Sequence, residues 1–324
     1  MPESQTYKPL RFGILSKSEI IKLQQLKPIN AIKDTLFSWM IIIMCITVAS
    51  MNKYEISILC LISLIIGTQI YSLMIIAHDG LHRILFKKVW LNDLWNDLFI
   101  LGSFGAITRI NRINHMKHHL SLSLNIDPDR YKYKTSGRDK KIKFLLKLTG
   151  IKLIIKSIIN VYLKPIFGNK LKEVNNSKMI NMQIENYKFR DILIILIWQL
   201  ILIISLTKIF SYWGYLLFWL LPLIIAYLLD LTRVFCEHSR TTNDLNADKT
   251  MRLKTIDVNL IEKLFLAPHN MNLHAAHHLW PKIPYYNLKE ANNILKSRVS
   301  RENQNILWMP SYFKTLILFF NYAK

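Results

Sequence analysis

Ten histidines stand in this chain, and they fall into a few tight clusters. His78 and His82 lie four residues apart. His115, His118 and His119 follow at spacings of three and one, and His274, His277 and His278 repeat that spacing. His238 and His269 precede the third cluster. Residues three and four apart share one face of a helix, so each cluster can present its rings together. A lone histidine on a helix is usually packed or solvated, but eight in three such groups point to metal ligation, the commonest role of neutral imidazole. One first-row ion takes roughly four to six ligands, so eight or nine imidazoles oversupply one ion and suit two. Imidazole serves zinc, copper, iron and nickel alike, and the residues alone do not choose among them.

Such clusters need rigid carriers, and long apolar stretches flank them. A bilayer-spanning helix takes about 20 mostly apolar residues. Four segments meet or approach that length: 35–51, 56–77 running into His78, 192–206, and 212–229 with Pro222 as an expected kink. Short polar links at 52–55 and about 207–211 join them into two hairpins. Lys and Arg set the orientation. The links carry one each, Lys53 and Lys208, against 6 in residues 1–34, 22 in 83–190 and 13 in 230–324. Both termini and the central region are therefore expected in the cytoplasm, which puts all the histidines on one side. The expected fold is an all-α integral membrane protein, with four transmembrane helices in two hairpins and a cytoplasmic helical cap carrying the histidine clusters. It reads as a single domain: a cytoplasmic N-terminal segment (1–34), a first hairpin with its histidines (35–82), a cytoplasmic or interfacial region (83–190), a second hairpin (191–230) and a cytoplasmic C-terminal region (231–324).

Two weaker segments bear on this count. Residues 94–107 are apolar but short, interrupted by Asn96, Asp97, Gly102 and Gly105. They read as re-entrant or interfacial, because an odd span would carry the third cluster to the other face. Residues 140–167 alternate Lys with Ile, Leu and Phe at helical spacing, as an amphipathic helix in the headgroup plane would; a surface helix of the cap is the alternative. The chain carries net charge +22, is 51% hydrophobic and has mean hydropathy +0.19. Nucleic acid is the obvious partner for such charge. The apolar runs make a membrane the better one, since anionic headgroups attract juxtamembrane Lys and Arg. Three cysteines make no disulfide framework: Cys45 and Cys60 fall in apolar runs, and Cys236 beside Glu237 reads as a small buried hydrophobe. The first 34 residues are polar and basic and lack the apolar core of a cleavable signal peptide.

The motifs HDGLH (78–82), HMKHH (115–119) and HAAHH (274–278) occur in that order, with the hairpins interposed. This pattern resembles the integral-membrane fatty acid desaturase and hydroxylase superfamily, whose boxes read HxxxH or HxxxxH, HxxHH and HxxHH. The third box continues HHLWPKIPYY (277–286), similar to the family's HHLFPxxPY ending, and NIDPD (125–129) resembles its NxDPD stretch. The resemblance covers about residues 60–290. It implies a non-haem di-iron centre of two Fe ions, with O2 as co-substrate, that removes hydrogen from an unactivated C–H bond to form a C=C bond in a long acyl chain. It implies His78, His82, His115, His118, His119, His274, His277 and His278 as ligands. His238 matches the extra histidine that some members use as a ninth. His269, between Pro268 and Asn270, stays outside this set. Metal-bound imidazoles usually donate their other N–H to an oxygen. Asp79, Asp127, Asp129, Asp230 and Glu237 are the acceptors within reach in sequence, each otherwise a solvated or capping carboxylate. Arg233 and Arg240 flank His238 and suit a lipid headgroup or a carrier phosphate, or ordinary positive-inside placement.

The chain shows no HPGG haem signature of a fused cytochrome b5 and no Gly-rich flavin or nicotinamide fingerprint. Electrons are expected from a separate donor, a ferredoxin or a cytochrome b5-like protein, with a membrane lipid or acyl substrate as the other partner. A hydroxylase or ketolase of the same superfamily, acting on a carotenoid, sterol, alkane or fatty acid, is the close alternative, because the boxes describe iron and not the substrate carbon. A histidine-rich metal transporter or store is the remote one. Transport sites lie near the bilayer midplane, whereas these histidines stand at span ends.

Overall fold

The computed structural model describes residues 13–51, 55–134, 141–151, 187–240 and 252–323. In chain order the helices are α1 (Lys17–Leu23), α2 (Pro28–Met51), α3 (Ile56–Leu81), α4 (Val89–Phe99), α5 (Thr108–Ser121), α6 (Arg130–Tyr133) and α7 (Lys141–Leu148). There follow α8 (Phe189–Phe210), α9 (Trp213–His238), α10 (Leu260–Phe265), α11 (His274–Leu279), α12 (Leu288–Arg298), α13 (Arg301–Leu307) and α14 (Tyr312–Tyr322). Two short strands, β1 (Thr255–Ile256) and β2 (Trp308–Met309), pair in parallel, a small exception to the all-α expectation.

Among the described residues, four helices are long and apolar enough to cross a membrane: α2, α3, α8 and α9. Each runs beyond its apolar stretch. The helix α2 begins early at Pro28, where a fixed φ suits a first turn. The extensions of α3 and α9 carry His78 and His238. The helix α8 shows why a bilayer is needed: Leu193, Leu196, Ile197, Leu200 and Ile204 are all exposed, an apolar surface too large for a protein in water.

The central span is α3. Ile66, Ile70, Tyr71, Leu73 and Ile76 on it are fully buried, with α2 on one side and α9 on the other. Gly67 lets α9 approach, since a Cβ there would meet Ile225 at 2.7 Å. The second hairpin is less of a pair than its short link implies. The helix α9 packs on α3 far more than on α8, which it meets near the link, where Gly214 lies against the Leu206 carbonyl. A stack of Trp39 on Trp198 (5.4 Å between centroids) and Trp219 (6.0 Å) ties α8 to α2 and α9. A π-helical turn at Leu216–Leu220 runs into Pro222, which lacks the N–H to close a regular turn.

Residues 94–107 form no fifth span: α4 ends at Phe99, a 3-10 turn follows at Leu101–Phe104, and Gly105 takes φ 73° to reverse the chain. Asn92, Asn96 and Asp97 are buried there. Of residues 140–167, only 141–151 are described; α7 buries Phe144 against Phe235 and leaves Ile142, Leu145 and Leu146 exposed. The remainder lies outside the described residues.

Candidate metal centre

The three motifs come from three helices that meet at one end of the bundle. His78 lies in the last turn of α3 and His82 caps it. His115, His118 and His119 stand on α5, and His274, His277 and His278 on α11. His238 is the last residue of α9. The ring nitrogens gather into two groups. His78, His82, His115, His119 and His277 form one, and His118, His238 and His278 the other, with the nitrogens of each within 4.8 Å of one another. His274 joins the second group: its Nε2 lies 2.9 Å from Nε2 of both His238 and His278. Five and four imidazoles thus converge on two centres, with His269 in neither.

The donor set fits metal ions. In the first group, Nε2 of His115 lies 2.8 Å from that of His82 and 3.0 Å from that of His119, and His277 lies 3.2 Å from His119. Two nitrogens each about 2.1 Å from a shared ion, at right angles, stand about 3.0 Å apart. These contacts cannot all be hydrogen bonds, because a neutral ring carries one N–H. His118 and His238 give theirs away at Nδ1, to the Asp127 carboxylate (3.0 Å) and the Arg252 carbonyl (2.9 Å). That leaves both Nε2 lone pairs facing inward. Burial, then the neighbouring imidazoles, holds His82, His115, His119, His274, His277 and His278 well below the usual histidine range. The rings are therefore neutral at pH 7, the form a metal binds.

The five expected acceptors divide. Asp127 meets His118 directly and also takes the Tyr133 phenol and the Asp129 backbone N–H (2.9 Å). Glu237 lies 3.4 Å from His274 Nδ1, near it but without hydrogen-bond alignment, while bonding Arg233 (2.5 Å) and Tyr312 (2.7 Å). Asp79 stands 3.9 Å from His78 Nδ1, and its Oδ2 accepts instead from the Tyr285 backbone at 2.9 Å. Asp129 and Asp230 meet no imidazole. They turn to Lys132, at 3.5 and 3.1 Å. Burial opposes charge on that ammonium, but the two carboxylates outweigh it and push it well above the usual lysine range. Arg233 is no headgroup ligand: it is 4% exposed and locked between Asp230 and Glu237.

Sequence reasoning missed Arg252 and Tyr133. A backbone carbonyl acceptor such as Arg252 leaves no trace in residue type. Tyr133 lies six residues past Asp127, and the one-turn helix α6 folds it back; Ser123 N also bonds its oxygen at 3.1 Å. His269 has its own partners, Ser72 Oγ at 2.7 Å and Asp34 at 3.8 Å.

The comparisons with known proteins agree with this geometry. The family model for fatty acid desaturases matches residues 56–309. The chain is similar to the sn-1 oleoyl-lipid 12-desaturase of Synechocystis sp., at 22% identity over 71% of this chain and 66% of that one. It is similar to the sn-1 acyl-lipid omega-3 desaturase (ferredoxin) of Nostoc sp., at 26% over 71% and 65%. The sn-1 oleoyl-lipid 12-desaturase of Arthrospira platensis matches at 22% over 80% and 75%. The chain thus spans about two thirds of the length of the first two of these relatives. The three motifs, the four spans and a match that runs from α3 to β2 lead to one assignment: the chain belongs to the fatty acid desaturase family.

Proposed function

We propose that this chain is an O2-dependent acyl-lipid desaturase that holds two iron ions and introduces a C=C bond into a long acyl chain. The observation that carries the reading is the sorting of nine buried or half-buried imidazoles into two nitrogen clusters at the end of four apolar helices. His78, His82, His115, His119 and His277 would hold one ion, and His118, His238, His274 and His278 the other. The bound pair would supply O2 activation; the overall reaction takes two vicinal hydrogens from the substrate, with two electrons from a separate donor and two protons, and releases two waters. The chain's own part is placement and exclusion of water. His238 and His277 are fully buried. Asp127 holds the His118 ring in one tautomer, and the Tyr133 phenol steadies that carboxylate. All three relatives are named as acyl-lipid desaturases, and one name specifies ferredoxin. These names favour desaturation over hydroxylation, and ferredoxin as the donor.

The metal end faces the cytoplasm in this reading, with both termini on the same side, as the distribution of Lys and Arg requires. The test is expression in a heterologous host supplied with ferredoxin and its reductase, followed by mass spectrometry of total lipids. A new double bond is expected. Added oxygen would make the chain a hydroxylase or ketolase. Metal flux into proteoliposomes without any lipid product would make it a transporter.

A further inference from the structure

The C-terminal end of α3 carries His78 and His82. A helix C-terminus leaves its last carbonyls short of partners and bears the negative end of the helix dipole. Here two cations reach those carbonyls, with Asn92 Nδ2 of α4 also on that of Gly80 at 2.9 Å, and each cation comes from one of the other histidine-bearing stretches. Arg112 stands on α5, three residues before His115. Its Nε donates to the Leu81 carbonyl at 2.8 Å and its Nη2 to the Gly80 carbonyl at 3.0 Å. The same guanidinium pairs with Asp93 of α4 at 2.5 and 2.9 Å. Lys282 lies four residues past His278, and its Nζ donates to the His82 carbonyl at 2.8 Å.

We propose that Arg112 and Lys282 are positioning residues, a clamp that sets the register of all three histidine motifs and so holds the five-histidine group as a metal site. That group draws on every clamped element: His78 and His82 on α3, His115 and His119 on α5, and His277 on α11. Among the described residues, none of these five rings donates a hydrogen bond to a carboxylate or carbonyl. Their placement therefore depends on how the backbones are held. Sliding α5 along α3 by one residue's rise, about 1.5 Å, would exceed any tolerance of a bond about 2.1 Å long. The four-histidine group is held differently, through two of its rings, by Asp127 on His118 and the Arg252 carbonyl on His238. Loss of the clamp should therefore cost one ion and spare the other. The fork of Arg112 is essential because it serves two carbonyls and a carboxylate at once, which an ammonium cannot do.

This inference rests on the two-ion reading, and the experiment separates the two. The full chain is purified in lipid nanodiscs and titrated with ferrous iron. Iron per chain and the Mössbauer spectrum are read, with helicity by circular dichroism as a check on folding. Wild type should take up about two irons, and R112Q about one, with the other site's spectrum unchanged. K282M should bind one of the two ions roughly 10–100-fold more weakly, the range for loss of a supporting contact. K282R should restore it, whereas R112K should not. R109Q removes an ion pair of the same helix, with Asp191, that does not touch α3, and should keep both irons. Two irons with a wild-type spectrum in the double variant R112Q/K282M would overturn the clamp, and so would equal loss of both irons in the milder K282M. Fewer than two irons in wild type would instead overturn the two-ion reading, and the clamp with it.

Discussion

The two histidine groups sit side by side yet are organised in opposite ways. The four-histidine group is fixed at two of its rings: Asp127 holds His118 and the Arg252 carbonyl holds His238, while the Nδ1 of His274 faces Glu237 without a hydrogen bond. In the five-histidine group no ring is held in this way among the described residues, and the buried Nδ1 atoms of His78 and His277 have no hydrogen-bond partner there. That group is fixed at its backbones, where α3 ends against α4, α5 and the stretch after α11. Ring-held ligands take their tautomer and orientation from the acceptor, whereas backbone-held ligands take their placement from helix packing. The difference teaches that one centre can be sensitive to hydrogen-bond chemistry and its neighbour to helix packing, although both are built from the same residue type.

The bluntest way to break the comparison is to remove one ligand from each group. H118A and H277A should each abolish turnover, because neither ion works alone in the proposed chemistry, while membrane insertion stays intact. Substantial product from either variant, measured in host lipids, would count against both groups as ligand sets. Next in size is Glu237. It is fully buried, bonded to Arg233 and Tyr312, and it faces His274. E237Q leaves the Arg233 charge buried with one carboxylate fewer, and breaking such a pair costs about 3–5 kcal/mol. Denaturant unfolding in detergent should show that loss, and a paired R233M change should recover part of it. Equal stability of E237Q and wild type would mean that the pair only fills space.

A finer cut uses the two aspartates. D127A removes the acceptor of a ring-held ligand and should weaken iron binding at the four-histidine group about 10–100-fold. D79A should do much less, because Asp79 spends its Oδ2 on the Tyr285 backbone and stands 3.9 Å from His78. Equal effects in an iron titration would erase the distinction between ring-held and backbone-held groups.

Much of this was legible in the sequence, for reasons of period. Apolar runs near the length of a bilayer located four spans, and three- and four-residue spacings located the helix faces that bear imidazole. What helix period does not encode was read less well. It does not tell which carboxylate near a motif turns inward: Asp127 does and Asp129 does not, because Asp129 is the N-cap of α6, which aims Lys132 at Asp129 and Asp230. It does not distinguish a juxtamembrane arginine from a buried one, and Arg233 is buried because Asp230 and Glu237 lie three residues before it and four after it on α9. Nor does a short link guarantee a tight hairpin. The helix α9 leaves α8 for α3 because Gly67 opens a groove for Ile225.

His269 tests the edge of the comparison, since it lies five residues before His274 and belongs to neither group. It takes φ 55° and the next residue, Asn270, takes φ 60°, two left-handed positions that reverse the chain just ahead of α11. Its ring meets Ser72 Oγ at 2.7 Å, with Asp34 at 3.8 Å and Tyr285 stacked edge-on. Burial lowers it from 6.5 to about 4, against the opposing pull of Asp34. The native ring therefore stays neutral in a window where the unfolded chain is already protonated. Its contribution to stability is present above pH 6.5 and is lost as pH falls towards 4. H269A should lower activity only modestly, because no ion is lost with it. H269Q, whose amide can still bond Ser72, should melt less steeply with acid than wild type between those two values. The iron-binding histidines titrate in both proteins, so the difference between the two melting curves isolates this ring. Parallel curves would mean that His269 is already protonated in the fold, paired with Asp34, and that the turn before α11 is held by charge rather than by a neutral hydrogen bond.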